Sequence, residues 1–135
     1  MEAMKLTAED FRRQAEFRYH LRCFLRSSEK SSLSAGLEPN QYQLLLAIKG
    51  LPVGRSPNIK ALAERLQIKQ QSLVELVDRS VKKEIIERFQ AGADRRIVLV
   101  RLTDLGEALV HEIALRNRIE MVKATPAFLE FLKNL

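Results

Sequence analysis

Two adjacent arginines, Arg95 and Arg96, have a residue type and a position that suit phosphate binding. They lie in the stretch FQAGADRRIVLVRLTDLG, residues 89–106, where a glycine-containing tip separates two runs rich in β-forming residues. A hairpin tipped with arginine can contact the phosphate backbone and enter the narrow minor groove of a duplex, so this tip is predicted to bind DNA. Asp94 is an acid where phosphate should be attracted, and its predicted role is to orient an arginine through a charge-assisted bond. A solvated surface hairpin would contain the same residue types.

A catalytic or metal site would need a group of residues that this sequence lacks. The only cysteine is Cys23, and the two histidines are His20 and His111. His20 and Cys23 are three residues apart and could share a helix face, where Arg22 and Arg26 could lower the thiol pKa. A thiol-based redox regulator is therefore an alternative, although a buried structural cysteine is the commoner outcome. With no third orienting residue and no nearby ligand, the sequence predicts no enzyme, no metal and no cofactor.

The charge balance favours a partner that carries phosphate. The chain has 23 Lys and Arg against 17 Asp and Glu, which gives a formal net charge of +6 and a pI of about 9.8. Residues 82–101 contain six of these bases and only three of the acids. Half of the basic excess is therefore concentrated around the arginine pair, as expected of a nucleic-acid-binding surface.

The length and composition suit one globular domain. The chain has 135 residues, of which 46% are apolar, with only five glycines and four prolines. No uninterrupted apolar run approaches the roughly 18 to 20 residues that span a bilayer, and the N-terminus has no apolar signal segment. A single cysteine excludes a disulfide framework and fits a reducing compartment. The chain is therefore expected to be cytoplasmic and to have no membrane partner.

Helical patterns predict the elements that must hold the hairpin. Thr7 is a predicted N-cap of a first helix that reaches about Ser32 and is apolar on more than one face. A shorter helix is predicted from Pro39 to about Gly50, before the exposed loop GLPVGRSP. Asn58 can cap IKALAERL, and the tight turn QIK separates that helix from a fourth one. Two short helices joined by a tight turn are typical of a helix-turn-helix.

The hairpin and a helical C-terminal part follow the fourth helix. The runs IIERFQ and IVLVRL are the two predicted strands, Thr103 is predicted to cap a long helix, and Thr125-Pro126 is predicted to begin a last short one. The fold class is therefore mainly α, within the α+β class. Because the first helix is apolar on several sides, it needs a partner, and isologous pairing with a second copy is the commonest solution.

The outer face of the fourth helix is predicted to meet the major groove. At about 100° per residue, turning Leu73, Leu76 and Val77 inward leaves a polar outer face. Glutamine suits bidentate bonding with adenine and serine suits several bases, while arginine and lysine suit phosphates. An ordinary solvated helix face would also carry such residues. The predicted DNA contacts of this helix are Gln70, Gln71, Ser72, Glu75, Arg79 and Lys82.

Three motifs, in this order and spacing, resemble the MarR family of winged-helix transcription regulators. They are LEPNQYQLLLAIKG, IKALAERLQIKQQSLVELVDR and DRRIVLVRLTDLGEAL, between about Leu37 and Val110. The resemblance implies a winged helix-turn-helix with flanking N- and C-terminal dimerisation helices, in an obligate homodimer whose flanking helices interleave. Each winged helix would read half of a pseudo-palindromic operator in double-stranded DNA. Residues 1–135 would then form a single domain, with dimerisation helices at 1–36 and 107–135 and the DNA-binding region at 37–106.

Three positions depart from the family pattern. Glu84 occupies the place of a helix-ending glycine, so either a non-glycine residue adopts the left-handed cap or the helix ends differently. Ser80 replaces a leucine and is predicted to point inward, with its hydroxyl bonded to the Leu76 carbonyl. Glu75 stands where a polar or basic residue is frequent. It either accepts a hydrogen bond from a cytosine amine or pairs with Arg79 and holds that arginine against the DNA backbone.

The resemblance also implies a ligand. The family often binds small aromatic acids in a crevice between the dimerisation helices and the winged helix, here lined by side chains of the first two helices. Helical spacing indicates Arg18, His20 and Arg22 as anion partners. The predicted function is a ligand-responsive transcriptional regulator, and a repressor in particular. Besides the thiol-based regulator, a second alternative is an architectural or protein-docking winged helix that binds DNA without sequence preference.

Overall fold

The structure, a computed structural model, describes residues 5–94 and 96–133, and within them the chain forms five helices and one two-stranded sheet. In chain order the elements are α1 (Ala8–Ser34), α2 (Pro39–Lys49), α3 (Ile59–Leu66), α4 (Gln70–Lys82), β1 (Ile86–Phe89), β2 (Leu99–Leu102) and α5 (Asp104–Lys133). The predicted mainly helical fold, with a helix-turn-helix followed by a hairpin, is confirmed. Among these residues, no helix combines the length and the apolar character that crossing a bilayer requires.

Local hydrogen bonds determine where the first helices begin, and the predicted caps are confirmed. The Thr7 hydroxyl accepts from the Asp10 amide at 3.2 Å, and the Asp10 carboxylate accepts from the Thr7 amide at 2.7 Å. This reciprocal pair satisfies two backbone donors that a helix start leaves free. Pro39 is the first residue of α2. At the start of α3, Asn58 Oδ1 accepts from the Ala61 amide at 2.8 Å.

The C-terminal part differs from the prediction, because α5 runs through Thr125 and Pro126 without a break. The predicted last short helix is therefore wrong. A proline inside a helix lacks an N–H donor, and its ring crowds the carbonyl four residues before it. Packing on α1 favours continuation of the helix despite this cost. The ring centroid of Phe17 in α1 lies 5.4 Å from that of Phe128 and 4.5 Å from that of Phe131. Both of these aromatic contacts lie beyond the proline, so they require the helix to continue.

The hydrophobic core lies between α2, the helix-turn-helix, the sheet and the first half of α5. By contrast, the buried residues of α1 are the polar Ser28 and Ser32, and α1 packs mainly along α5. The Asn117 amide of α5 donates to the Ser28 hydroxyl at 3.0 Å. The largest buried apolar side chains include Leu44, Leu45, Leu62, Leu73, Val77, Ile85, Ile86, Val100, Val110 and Ile113.

The antiparallel hairpin is attached to the helix-turn-helix as well as to α5. Its strands have four residues each, shorter than the predicted six, and Phe89 pairs with Leu99 at the last position of the ladder. The Val100 amide donates to the Pro57 carbonyl at 3.1 Å, just before α3 begins. The hairpin therefore has a fixed position relative to the first helix of the motif.

The end of α4 uses the first of the two geometries that the sequence left open. Glu84 has a φ of 62°, in the left-handed region, so a non-glycine residue follows the helix in the conformation that glycine usually adopts. Inside the helix, Ser80 is buried and its hydroxyl donates to the Leu76 carbonyl at 2.8 Å, as predicted. The chain leaves α4 directly into β1.

A compact junction joins the end of α4, the base of the hairpin and the start of α5. The Thr103 amide donates to the Ile85 carbonyl at 3.1 Å, and the Thr103 hydroxyl donates to the Glu84 carbonyl at 2.6 Å. The same hydroxyl accepts from the Gly106 amide at 3.1 Å, so Thr103 caps α5 as predicted. A Cβ atom at Gly106 would lie 2.1 Å from the Ile85 carbonyl oxygen. Only glycine permits this approach of helix to backbone.

We expect Gly106→Ala to destabilise the fold, although alanine favours an ordinary helix over glycine. The added methyl would push α5 away from the Ile85 carbonyl, and overpacking of this kind typically lowers the free energy of unfolding by about 1 to 3 kcal/mol. Urea unfolding of both proteins at one protein concentration measures the difference. A stability gain of about 1 kcal/mol, the helix-propensity difference alone, would show that the junction is not tight.

Candidate nucleic-acid interface

Helix α4 presents a continuous polar face to solvent. Leu73, Leu76 and Val77 are buried against the core, as the helical spacing requires. The opposite side is exposed to solvent over the length of the helix. The exposed residues of that side include all six predicted contacts, Gln70, Gln71, Ser72, Glu75, Arg79 and Lys82.

Two charged residues of this face are bonded to neighbouring elements. Arg79 Nε lies 3.3 Å from a carboxylate oxygen of Glu38, the residue before α2. Asp78 accepts from Arg88 of β1. Arg79 thus pairs with Glu38. The pairing of Arg79 with Glu75, one of the two arrangements predicted for Glu75, does not occur in the structure. Glu75 has no hydrogen bond or ion pair within residues 5–94 and 96–133.

The tip of the hairpin combines a turn glycine with an arginine held by an acid. Gly92 has a φ of 78°, which permits the tight turn. The Asp94 carboxylate accepts from the Arg96 amide at 3.0 Å and from Arg96 Nε at 3.2 Å. The side chain of Arg96 is nevertheless 91% exposed, so its guanidinium remains accessible. Arg95 lies outside the described residues, and its predicted role stays a prediction.

A second group of basic side chains, which was not predicted from the sequence, lies at α3. Arg55, Lys60 and Arg65 line a depression of about 460 Å³ together with Glu64. Arg55 lies in a loop, and Lys60 and Arg65 lie on α3. The only sequence signal that they form one basic group is their regular spacing of five residues. Because all three are exposed, on or just before the first helix of the motif, they are candidates for phosphate contacts.

The three predicted effector residues do not line one cavity. His20 borders a cavity of about 560 Å³ between α1 and α5, with Phe17 and Phe131 in its wall. Arg18 borders a separate depression of about 370 Å³, and Arg22 borders a third of about 550 Å³. The cavity at His20 is thus formed by α1 and α5, whereas the predicted crevice lay between the dimerisation helices and the winged helix and was lined by the first two helices. Ligand binding by these residues stays a prediction.

The candidate thiol site has neither a buried cysteine nor a metal cluster. Cys23 is exposed, contrary to the expectation of a structural cysteine in the core. A hydrogen bond with Cys23 raises the pKa of the Tyr19 hydroxyl. His20 Nε2 lies 3.6 Å from a carboxylate oxygen of Glu16. In the described part of the chain, no group of three His, Cys, Asp or Glu side chains could hold a metal ion.

Comparison with known protein families identifies the segment that contains both candidate surfaces. The family model described as MarR family matches residues 35–97, from the turn before α2 to the tip of the hairpin. This segment, slightly less than half of the chain, is similar to the MarR family. The resemblance that the sequence motifs indicated is thereby confirmed.

Two regulators of Bacillus subtilis (strain 168) are similar to this chain in sequence. The uncharacterized HTH-type transcriptional regulator YhbI is 33% identical over 91 residues, which cover 65% of this chain and 58% of YhbI. The HTH-type transcriptional repressor MdtR is 29% identical over 108 residues, which cover 80% of this chain and 63% of MdtR. The chain therefore spans less than two thirds of the length of either relative.

A solved structure agrees with the fold over nearly the whole chain. The MarR family transcription regulator SP03579 superimposes with a TM-score of 0.72 at 19% identity, covering 92% of this chain and 90% of that one. At this identity the likeness concerns the fold alone. It confirms that the helix-turn-helix and hairpin of this chain form a winged helix-turn-helix.

We expect the contact between Asp94 and Arg96 to depend on pH in a defined direction. The pKa of the Asp94 carboxyl lies below its ordinary value, because the Arg96 side chain and then the Arg96 amide donate hydrogen bonds to it. Because the pKa of Asp94 is lower in the folded state than in the unfolded state, its ionised carboxylate stabilises the folded protein at pH values above the unfolded-state pKa. This contribution is lost as the pH falls through the folded-state pKa. In a carboxyl NMR titration, Arg96→Ala should therefore raise the pKa of Asp94. The control Arg101→Ala, on β2, should leave it unchanged, and equal midpoints in all three proteins would contradict the bond.

Proposed function

We propose that this protein is a sequence-specific, DNA-binding transcriptional regulator of the MarR family that acts as a homodimer. One observation carries the proposal: the polar face of α4 and the exposed Arg96 belong to elements that are bonded to each other and to α5. A helix for the major groove and a ribbon for the adjacent backbone are thus held on one scaffold. The similarity to two regulators of the helix-turn-helix type supports the same activity.

The two surfaces suit different parts of a duplex. Gln70, Gln71 and Ser72 lie in the first turn of α4, where side chains of a recognition helix reach base edges. Lys82 lies in the last turn and suits a phosphate. In the wing, Arg96 suits the phosphates or the narrow minor groove, together with Arg95 as predicted from the sequence.

The homodimer is supported by apolar surface that a single chain leaves exposed. Phe11 and Tyr19 of α1 are about 60% exposed, and so are Ile119 and Val122 of α5. Exposed apolar residues of this size, gathered on two long helices that already pack together, indicate an interface. A two-fold dimer would cover the same patch on both copies and would present two copies of α4 to successive half-sites.

Repression and a ligand response are finer parts of the proposal. The name of MdtR, a transcriptional repressor, supports repression. A small aromatic acid is the proposed effector, with His20, Arg18 and Arg22 as candidate anion partners and the aromatic wall at His20 as a surface for stacking. Such a ligand would release DNA only if it binds the DNA-incompetent state more tightly.

We expect Arg96→Ala to flatten the salt dependence of DNA binding and leave the fold intact. Each phosphate contact contributes about 0.9 to the slope of log K against log salt, so a dimer that loses one contact per chain loses about 2. Fluorescence anisotropy of a duplex across a salt series measures the slope. The control Arg116→Ala removes the same charge from α5 and should leave the slope unchanged. An Arg96→Ala slope equal to that of the wild type would exclude Arg96 as a phosphate contact.

We expect Ile119→Glu to convert the dimer to a monomer. The new carboxylate on the apolar side of α5 would be buried in the interface without a partner. The free-energy cost of burying that charge would prevent association. Light scattering after size exclusion measures the mass of each protein. The matched control is Val53→Glu, since Val53 is fully exposed in the loop after α2. A wild-type protein that is monomeric at micromolar concentration would contradict the dimer.

A further inference from the structure

Glu75 lies at the centre of the exposed face of α4 and is the one acid of that face without a partner in the described part of the chain. Gln71 precedes it by four residues, and Arg79 follows it by four, so the three lie along one stripe of the helix. Asp78, the other acid of the face, is neutralised by Arg88 of β1. A bare carboxylate therefore remains where the helix would approach the duplex.

Glu75 does not serve to hold Arg79. The Glu38 carboxylate already lies 3.3 Å from Arg79 Nε, and Glu38 is itself fixed as the residue that caps α2. The Glu38 amide donates to Gln41 Oε1 at 3.1 Å as part of that cap. The orientation of Arg79 is thus supplied from α2, across the helix-turn-helix, and leaves Glu75 available for another contact.

The chemistry of an unpaired carboxylate restricts what it can bind in a major groove. Near phosphates it is repelled unless a donor compensates it, and an ionised carboxylate can only accept hydrogen bonds. The base donors in the major groove are the cytosine N4 amine and the adenine N6 amine. In adenine the N7 acceptor lies beside the N6 amine, so it would face the second carboxylate oxygen and repel it. Guanine and thymine offer acceptors, so cytosine is the base that fits.

We propose that Glu75 is a specificity-determining residue that accepts a hydrogen bond from the N4 amine of one cytosine in each half-site. The inference rests on the proposed function, because it assigns a base to a helix that the proposal brings into the major groove. It requires that the carboxylate contribute selectivity among duplexes and not general affinity. Removing it would then change which base is preferred at one position, while the phosphate contacts remain.

The first experiment compares base preference in three proteins. A duplex selected by the wild-type chain is substituted one base pair at a time, and affinity is measured for wild type, Glu75→Ala and Glu75→Gln. The wild type should favour cytosine at one position of each half-site by roughly ten-fold. Glu75→Ala should lose that preference. Glu75→Gln should move it toward adenine, because a carboxamide can bond to N6 and N7 together.

The second experiment removes the proposed donor from the DNA. Replacing that cytosine by 2-pyrimidinone, which lacks the N4 amine, should weaken the wild type by roughly ten-fold and leave Glu75→Ala almost unchanged. The two losses should not add, as expected when two groups contact each other. The control Glu64→Gln, an exposed acid of α3, should show the wild-type loss on the analogue.

Three results would overturn the inference. If Glu75→Gln bound every duplex more tightly and kept the wild-type base preference, the carboxylate would only repel DNA. If the analogue and Glu75→Ala had additive effects, the amine and the carboxylate would not be in contact. In both cases wild-type specificity persists, so the proposed function stands. If the wild type itself preferred no duplex, the proposed function and this inference would both fail.

Discussion

The close approach of Gly106 to the Ile85 carbonyl is the contact on which the geometry of the proposed DNA-binding surface depends. It brings the first turn of α5 against the strand that leaves α4, at a distance that any side chain at position 106 would prevent. Thr103 closes the same junction by bonding to Ile85 and Glu84. Since the wing, α4 and α5 all meet here, a shift of α5 would be transmitted to both surfaces. If the proposed effector binds along α1 and α5, this junction is the physical route from the ligand to the proposed DNA-binding elements.

Ion pairs within the chain decide which charges remain for DNA. Glu38 holds Arg79, and Asp78 holds Arg88, so neither arginine is wholly free. Because the side chains of these pairs are roughly 40 to 50% exposed, each pair contributes at most about 1 kcal/mol and a phosphate can compete for the cation. Glu75 has no such partner in the described part of the chain. In the proposed function, the α4 face thus combines phosphate contacts that are independent of sequence with one acid that no described residue pairs, the pattern expected of a regulator that must discriminate among duplexes.

Sequence alone predicted the elements whose signals are local. The caps at Thr7 and Asn58, and the hydroxyl bond of Ser80, depend on residues at most four positions away, and all three were predicted. The course of the chain through Pro126 was not, because Phe17 is more than a hundred residues distant along the chain. The pairing of Arg79 with Glu38 was missed for the same reason, since it joins residues 41 positions apart. Helical spacing also gave the outer face of α4 but not the partners of its charges.

Selection of bound sequences from a random duplex pool tests the central claim most directly. If the protein is a dimeric, sequence-specific regulator, successive rounds at fixed salt should enrich a two-fold symmetric sequence whose half-sites are about one helical turn, roughly 10 base pairs, apart. Its affinity should exceed that of an unselected duplex by about a thousand-fold or more. A pool that binds but gains no common sequence would contradict the account and identify a winged helix that binds DNA without sequence preference.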